Sequence, residues 1–145
     1  MAETFDLFRL SLLTRSQIDA FAPIFSTREA YLRHVFGEER VFTHYATEYH
    51  YVPVGTAGDD SMLGRIGREV AFDGNAPPTE GYEDKDYPAH KAAVFVIDPT
   101  DHPDGQKVAL QQRVGKPLQL ITALVETINE AYAHTAYQIE GHLEK

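Results

Sequence analysis

A chain of 145 residues, 43% hydrophobic and 24% charged, has the size and make-up of one folded domain and excludes a disordered or fibrous polymer. It contains no cysteine, which excludes disulfide staples, thiolate zinc sites and cysteine nucleophiles. Thirteen Lys and Arg stand against 22 Asp and Glu for a formal charge of −9, a field that repels phosphate backbones, so no direct nucleic-acid partner is expected.

The acidity is concentrated: residues 59–104 hold eleven acids against Arg65, Arg68, Lys85 and Lys91. The first residues, Met1 to Asp6, lack the basic start of a secretory leader. No apolar run approaches the roughly 20 residues that cross a bilayer as a helix. A cytoplasmic protein without membrane contact is the expectation.

In chain order, residues 4–12 alternate as a strand, with Phe8, Leu10 and Leu12 on one face and Phe5 and Leu7 on the other, both faces at least partly covered. Ser16 to Phe21 suggest a short helix stopped ahead of Pro23. Ser26 and Glu29 have the spacing of a capping box, followed by a helical stripe of Tyr31, Leu32, Val35 and Phe36 that Gly37 would end in left-handed geometry. Arg40 to Val54 read as one long strand, with Val41, Thr43, Tyr45, Thr47, Tyr49 and Tyr51 sharing a face. The turn residues 55–60 and the alternation from Met62 to Phe72 then complete a hairpin.

Residues 73–90 carry three prolines, two glycines and no apolar period, which predicts a long acidic loop. Ala92 to Ile97 read as a central strand buried on both faces, and Gln106 to Arg113 as its neighbour. Pro117 opens the strongest helix, with Leu118, Ile121, Leu124, Val125, Ile128 and Tyr132 along one side. Tyr137, Ile139 and Leu143 alternate as a last strand. The expected fold is a single α+β domain over residues 1–145, with a largely antiparallel sheet of about six strands and two main helices packed on one of its faces.

Four groups of residues invite chemistry. His44, Glu48 and His50 would share a face of the long strand and offer ligands to a divalent metal ion, although same-face neighbours stand roughly 7 Å apart and the plainer reading is a solvated strand face. Asp98, Asp101, His102 and Asp104 cluster after a strand, in a spacing that fits no metal motif and suits a tight turn. The glycines and arginines of residues 63–69 match no phosphate-loop fingerprint, and glycine there marks a bulge or a close backbone approach, with Arg65 and Arg68 available to pair with acids of the following loop. Tyr45, Tyr49 and Tyr51 would make a base-stacking platform only beside a basic groove. No Lys or Arg lies between Arg40 and Arg65, which favours a core or an oligomer interface.

The loop itself sets Tyr82 and Tyr87 among Glu80, Glu83, Asp84 and Asp86, combining rigid aromatic contact area with a charge that steers basic partners. The leading expectation is therefore a small acidic binding or regulatory module without a cofactor. Its protein-contacting residues would be Tyr82, Glu83, Asp84, Asp86 and Tyr87, and occupancy of a basic groove on the partner is one mode of action. A homo-oligomer is compatible with this. The alternative is a metal-assisted hydrolase or lyase with His44, Glu48 and His50 as ligands and Asp98, Asp101 or His102 as acid/base groups.

Overall fold

A computed structural model describes residues 3–15, 25–57, 60–100, 105–133, 135 and 137–143. Strand β1 (Phe5–Thr14) leads to helix α1 (Arg28–Val35), five strands β2 (Arg40–His44), β3 (Thr47–Ala57), β4 (Ser61–Asn75), β5 (Asp84–Asp98) and β6 (Gln106–Gln111), helix α2 (Pro117–Ala131) and strand β7 (Tyr137–Leu143). The strands form one sheet in the order β2-β3-β4-β5-β6-β1-β7, and every neighbouring pair is antiparallel. The α+β reading stands. The sheet has seven strands and not six, because the expected single strand from Arg40 to Val54 folds back at Tyr45 and Ala46.

That turn carries none of the usual chemistry. Both central residues have positive φ, 48° and 63°, the geometry whose twist suits two-residue hairpins and which Asn-Gly normally supplies. The reversal also switches parity: Phe42 pairs with Tyr49, and Arg40 with Tyr51. The core face of the hairpin is thus Phe42, Tyr49 and Tyr51, while Val41 is half exposed.

One sheet face carries the core. Phe8, Leu10, Leu12, Ile66, Ala93, Phe95, Ile97, Val108, Leu110 and Ile139 join the buried residues of α1 and α2 in one cluster. At its centre, Phe36 stacks on Phe95 at 5.4 Å, and Tyr51 meets both rings edge-on. The Tyr51 hydroxyl donates to the Phe36 carbonyl, which satisfies a phenol that is otherwise wholly buried. Tyr51 lies over Gly64, where a Cβ would come within 2.6 Å of the ring, so the glycine is a close approach as its position in the sequence suggests.

Helix α2 packs against β2 and β7, the two outermost strands of the sheet, so the sheet curls around it. The amide of Asn129 completes β7 as a strand would: its Nδ2 donates to the Ile139 carbonyl at 2.9 Å and its Oδ1 accepts from the Ile139 amide at 2.8 Å. At the other rim, Arg40 donates to the carbonyl of Val35 and to the Tyr132 hydroxyl, tying the ends of both helices to β2. Arg15 donates to the carbonyls of Asn129 and Ala133 near the C-terminal end of α2, as cations do at that pole.

Several local expectations shift. The cap of α1 is Thr27, whose hydroxyl accepts from the Ala30 amide at 3.0 Å, one residue after the expected Ser26. Glu29 instead faces Arg33 across one helical turn. Gly37 is not left-handed; it is required because a Cβ there would sit 2.7 Å from the Arg33 carbonyl oxygen. The second face of β1 is open, with Phe5, Leu7 and Leu13 exposed, and β5 is fully covered on one face only. Within α2, Leu120 and not Leu118 faces the core. The helix expected at Ser16–Phe21 lies outside the described residues.

The segment expected as a loop, residues 73–90, is the outer part of a long hairpin. β4 and β5 stay paired from Met62↔Ile97 out to Asn75↔Asp84. Pairing of β4 with β3 ends at Gly67, and pairing of β5 with β6 begins only at Phe95. Beyond those points the two strands form a free-standing ribbon. A two-stranded ribbon needs no apolar alternation along its length, and its prolines and glycines disguise it as a loop. Where the β5–β6 ladder stops, the Val94 amide donates to the side-chain Oε1 of Gln111 at 3.1 Å. Even-numbered amides of β5 therefore point to that open edge, and Pro88 has none to offer.

Candidate functional site

Two surfaces of the ribbon have distinct chemistry: an acidic tip and a basic root. At the tip, Pro78–Glu80 form a single 3₁₀ turn closed by Gly81 at φ 70°. The Ala76 amide donates to the Glu83 carbonyl at 2.7 Å, and the Asn75 side chain donates to the Tyr82 carbonyl and the Asp84 carboxylate. Lys85 reaches Glu80 at 3.4 Å. These bonds hold Tyr82 outward, 62% exposed, with a backbone φ of 56°. A bulky residue in left-handed geometry costs about 1 kcal/mol or more, and the hydrogen bonds of the Tyr82 carbonyl and amide to Asn75 and Pro77 hold it there.

Of the five residues expected to contact a partner, Tyr82, Glu83 and Asp84 are thus exposed together at the tip. The backbones of Asp86 and Tyr87 pair with Asp73 and Phe72, while their side chains lie outside the described part of the structure. A second exposed tyrosine, Tyr45 at 85%, occupies the β2–β3 turn, also at positive φ. Antiparallel registry puts that turn at the same end of the sheet as the ribbon. The sequence gives no signal for this, because a Tyr-Ala dipeptide does not read as a turn.

The root is built differently. Because β3 and β4 part beyond His50↔Gly67, a trough of about 610 Å³ opens on the face turned away from the helices, lined by Glu48, His50, Val52, Val54, Arg65 and Arg68 among others. On the other flank, where β6 has ended, two smaller clefts are lined by His90, Lys91 and Arg113 together with Arg65 or Arg68. In register, Arg68 sits opposite Lys91. Among the described residues Arg65, Arg68, Lys91 and Arg113 have no ion-pair partner, so the expected pairing of Arg65 and Arg68 with acids of the 73–90 segment does not form there. The Nε of Arg68 is buried without a hydrogen-bond acceptor, which costs about 1–3 kcal/mol or more for a charged group.

The other sequence candidates separate. His44 lies on the helix side of the hairpin, its Nε2 3.1 Å from the Gln119 Oε1 on α2. Glu48 and His50 pair with each other at 3.4 Å on the opposite face. The parity switch at Tyr45-Ala46 drives them apart, and among the described residues no three His, Asp or Glu side chains come together as a metal site would need. Asp98 accepts the Thr100 amide at 3.0 Å, the bond of a turn, and Gly105 has φ 97°. Asp101, His102 and Asp104 lie outside the described residues. Tyr49 and Tyr51 are buried and form no stacking platform with Tyr45. Burial pushes the phenols of Tyr31 and Tyr51 above their ordinary range. No described helix is long and apolar enough to cross a membrane. No family model, curated protein or solved structure matches the chain.

Proposed function

We propose that the protein is a small acidic docking module of the cytoplasm that engages a basic surface of a partner protein through the tip of its β4–β5 ribbon. The observation that carries this reading is Tyr82: an exposed aromatic in a strained backbone conformation, pinned by the Asn75 and Ala76 hydrogen bonds and flanked by Glu80, Glu83 and Asp84. Strain at an exposed ring is retained where contact with another molecule rewards it, and a rigid tyrosine gives much contact area for little lost entropy. Asp86 and Tyr87 extend the same contact surface in this reading. The acids set the partner's sign, steering it from a distance and fixing its orientation.

The test is native affinity capture of the partner, followed by binding measurements on the purified pair. Tyr82→Ala/Tyr87→Ala is expected to weaken the complex on the order of tenfold or more, as aromatic anchors do, with an unchanged melting temperature. Raising salt to about 0.5 M is expected to slow association by screening the acids. A complex that keeps its affinity in the double variant and is indifferent to salt removes the proposal.

A further inference from the structure

We infer that the root of the ribbon is a binding site for a small organic phosphate, separate from the acidic tip and independent of what docks there. Residues 59–104 contain only four Lys and Arg; three of them, Arg65, Arg68 and Lys91, line the trough, and Arg113 lines the two adjoining clefts with Lys91 and either Arg68 or Arg65. Among the described residues these four cations form no ion pair, although Glu48 and Glu69 line the same trough. Such a set of cations matches an anion of more than one charge better than a lone carboxylate, which a single arginine can hold.

The chemistry of the lining divides the ligand in two. His90, Lys91 and Arg113 line both small clefts, Arg68 lines one and Arg65 the other. Guanidinium forks and an ammonium are the groups that hold phosphate oxygens. The trough continues over Val52, Val54, Gly67 and Ala92, an apolar floor suited to a carbon or ring body. Glu48 and Glu69 also face this space; Glu48 is engaged by His50, and both carboxylates are placed to accept hydroxyl or amino groups of that body. A volume of about 610 Å³ is within the range of small-molecule sites.

The test uses adenosine monophosphate, pyrophosphate, inorganic phosphate and acetate as probes, titrated at about 0.15 M salt and followed by amide NMR and calorimetry. Saturable binding of adenosine monophosphate is expected, with shifts confined to Gly67, Glu69, His90, Lys91, Ala92 and Arg113, and none with acetate. Lys91→Gln/Arg113→Gln, at two exposed positions, is expected to weaken it on the order of tenfold or more without changing the melting temperature; Arg68→Gln is the more drastic second variant. Shifts that scatter over the surface without saturating, or an unchanged affinity in the double variant, overturn the site. Equal affinity for inorganic phosphate and the monophosphate overturns the organic half of the ligand. Much tighter binding of a single-stranded oligonucleotide at the same residues overturns the assignment to a small molecule.

Discussion

The helix-covered part of the sheet and the ribbon that leaves it are made from the same two strands, yet different physics holds each. Along β4 and β5 the inner residues Ile66, Ala93, Phe95 and Ile97 are closed against α1, α2 and the aromatic cluster, whereas beyond Gly67 and before Phe95 each strand has only the other. The inner half is stabilised by burial, and the outer half by cross-strand bonds and the hydrogen-bonded turn at its end. Stability is concentrated where the helices are, and exposed chemistry where they are not, which is the usual division between scaffold and contact surface.

The largest effect should come from the covered half. Phe95→Ala removes a fully buried ring and is expected to destabilise by about 3–5 kcal/mol, seen as a large drop in urea midpoint. A small loss there would mean that the cluster around Phe36 and Tyr51 is not the core's centre. Gly64→Ala drives a methyl into the Tyr51 ring and should cost about 1–3 kcal/mol. Tyr51→Phe strands the Phe36 carbonyl and should cost about 1–2 kcal/mol near neutral pH.

Tyr51→Phe also sharpens the comparison through pH. Burial raises the phenol's folded pKa above its ordinary value of 10.0, so above pH 10.0 the unfolded chain releases protons that the folded chain retains. Stability is then fully present below that value and falls as pH rises beyond it. The phenylalanine variant is expected to lose stability less steeply in that range, measured by urea melts; an identical slope would mean that Tyr51 ionises freely in the fold.

Smaller effects belong to the caps and the ribbon. Thr27→Ala is expected to cost about 1 kcal/mol by removing the cap of α1. Tyr82→Gly relieves the left-handed backbone and should stabilise by up to about 1 kcal/mol, while abolishing the proposed docking contact. That opposition between stability and binding separates a contact residue from a merely tolerated one. Hydrogen exchange should show the amides of residues 84–91 opening well before those of 95–97; equal protection would dissolve the distinction between the two regions.

The covered half was largely readable from the sequence and the ribbon was not. The alternation of Phe8, Leu10 and Leu12 and the stripe of Ile121, Leu124, Val125 and Ile128 exist because each element has one wet and one dry side, and such patterns locate strands and helices directly. The ribbon shows no apolar period, so only registry with its partner strand defines it, and registry is invisible in a single sequence. The turn at Tyr45-Ala46 was missed for a related reason, since the backbone there adopts left-handed geometry without the residues that usually announce it. Missing it put His44 on the wrong face and produced the apparent grouping with Glu48 and His50. The basic root escaped because Arg65, Arg68, Lys91 and Arg113 are spread along the chain, and a strongly negative average conceals a local excess of the other sign.

Pro88 has a further consequence for how copies of this chain treat one another in a crowded solution. Along the open edge of β5 the first amide is already occupied by Gln111, only Ala92 and His90 follow, and then the proline interrupts the row. A foreign strand laid along that edge finds too short a run of donors to zip onto, so this side of the arm resists templating fibrils of itself.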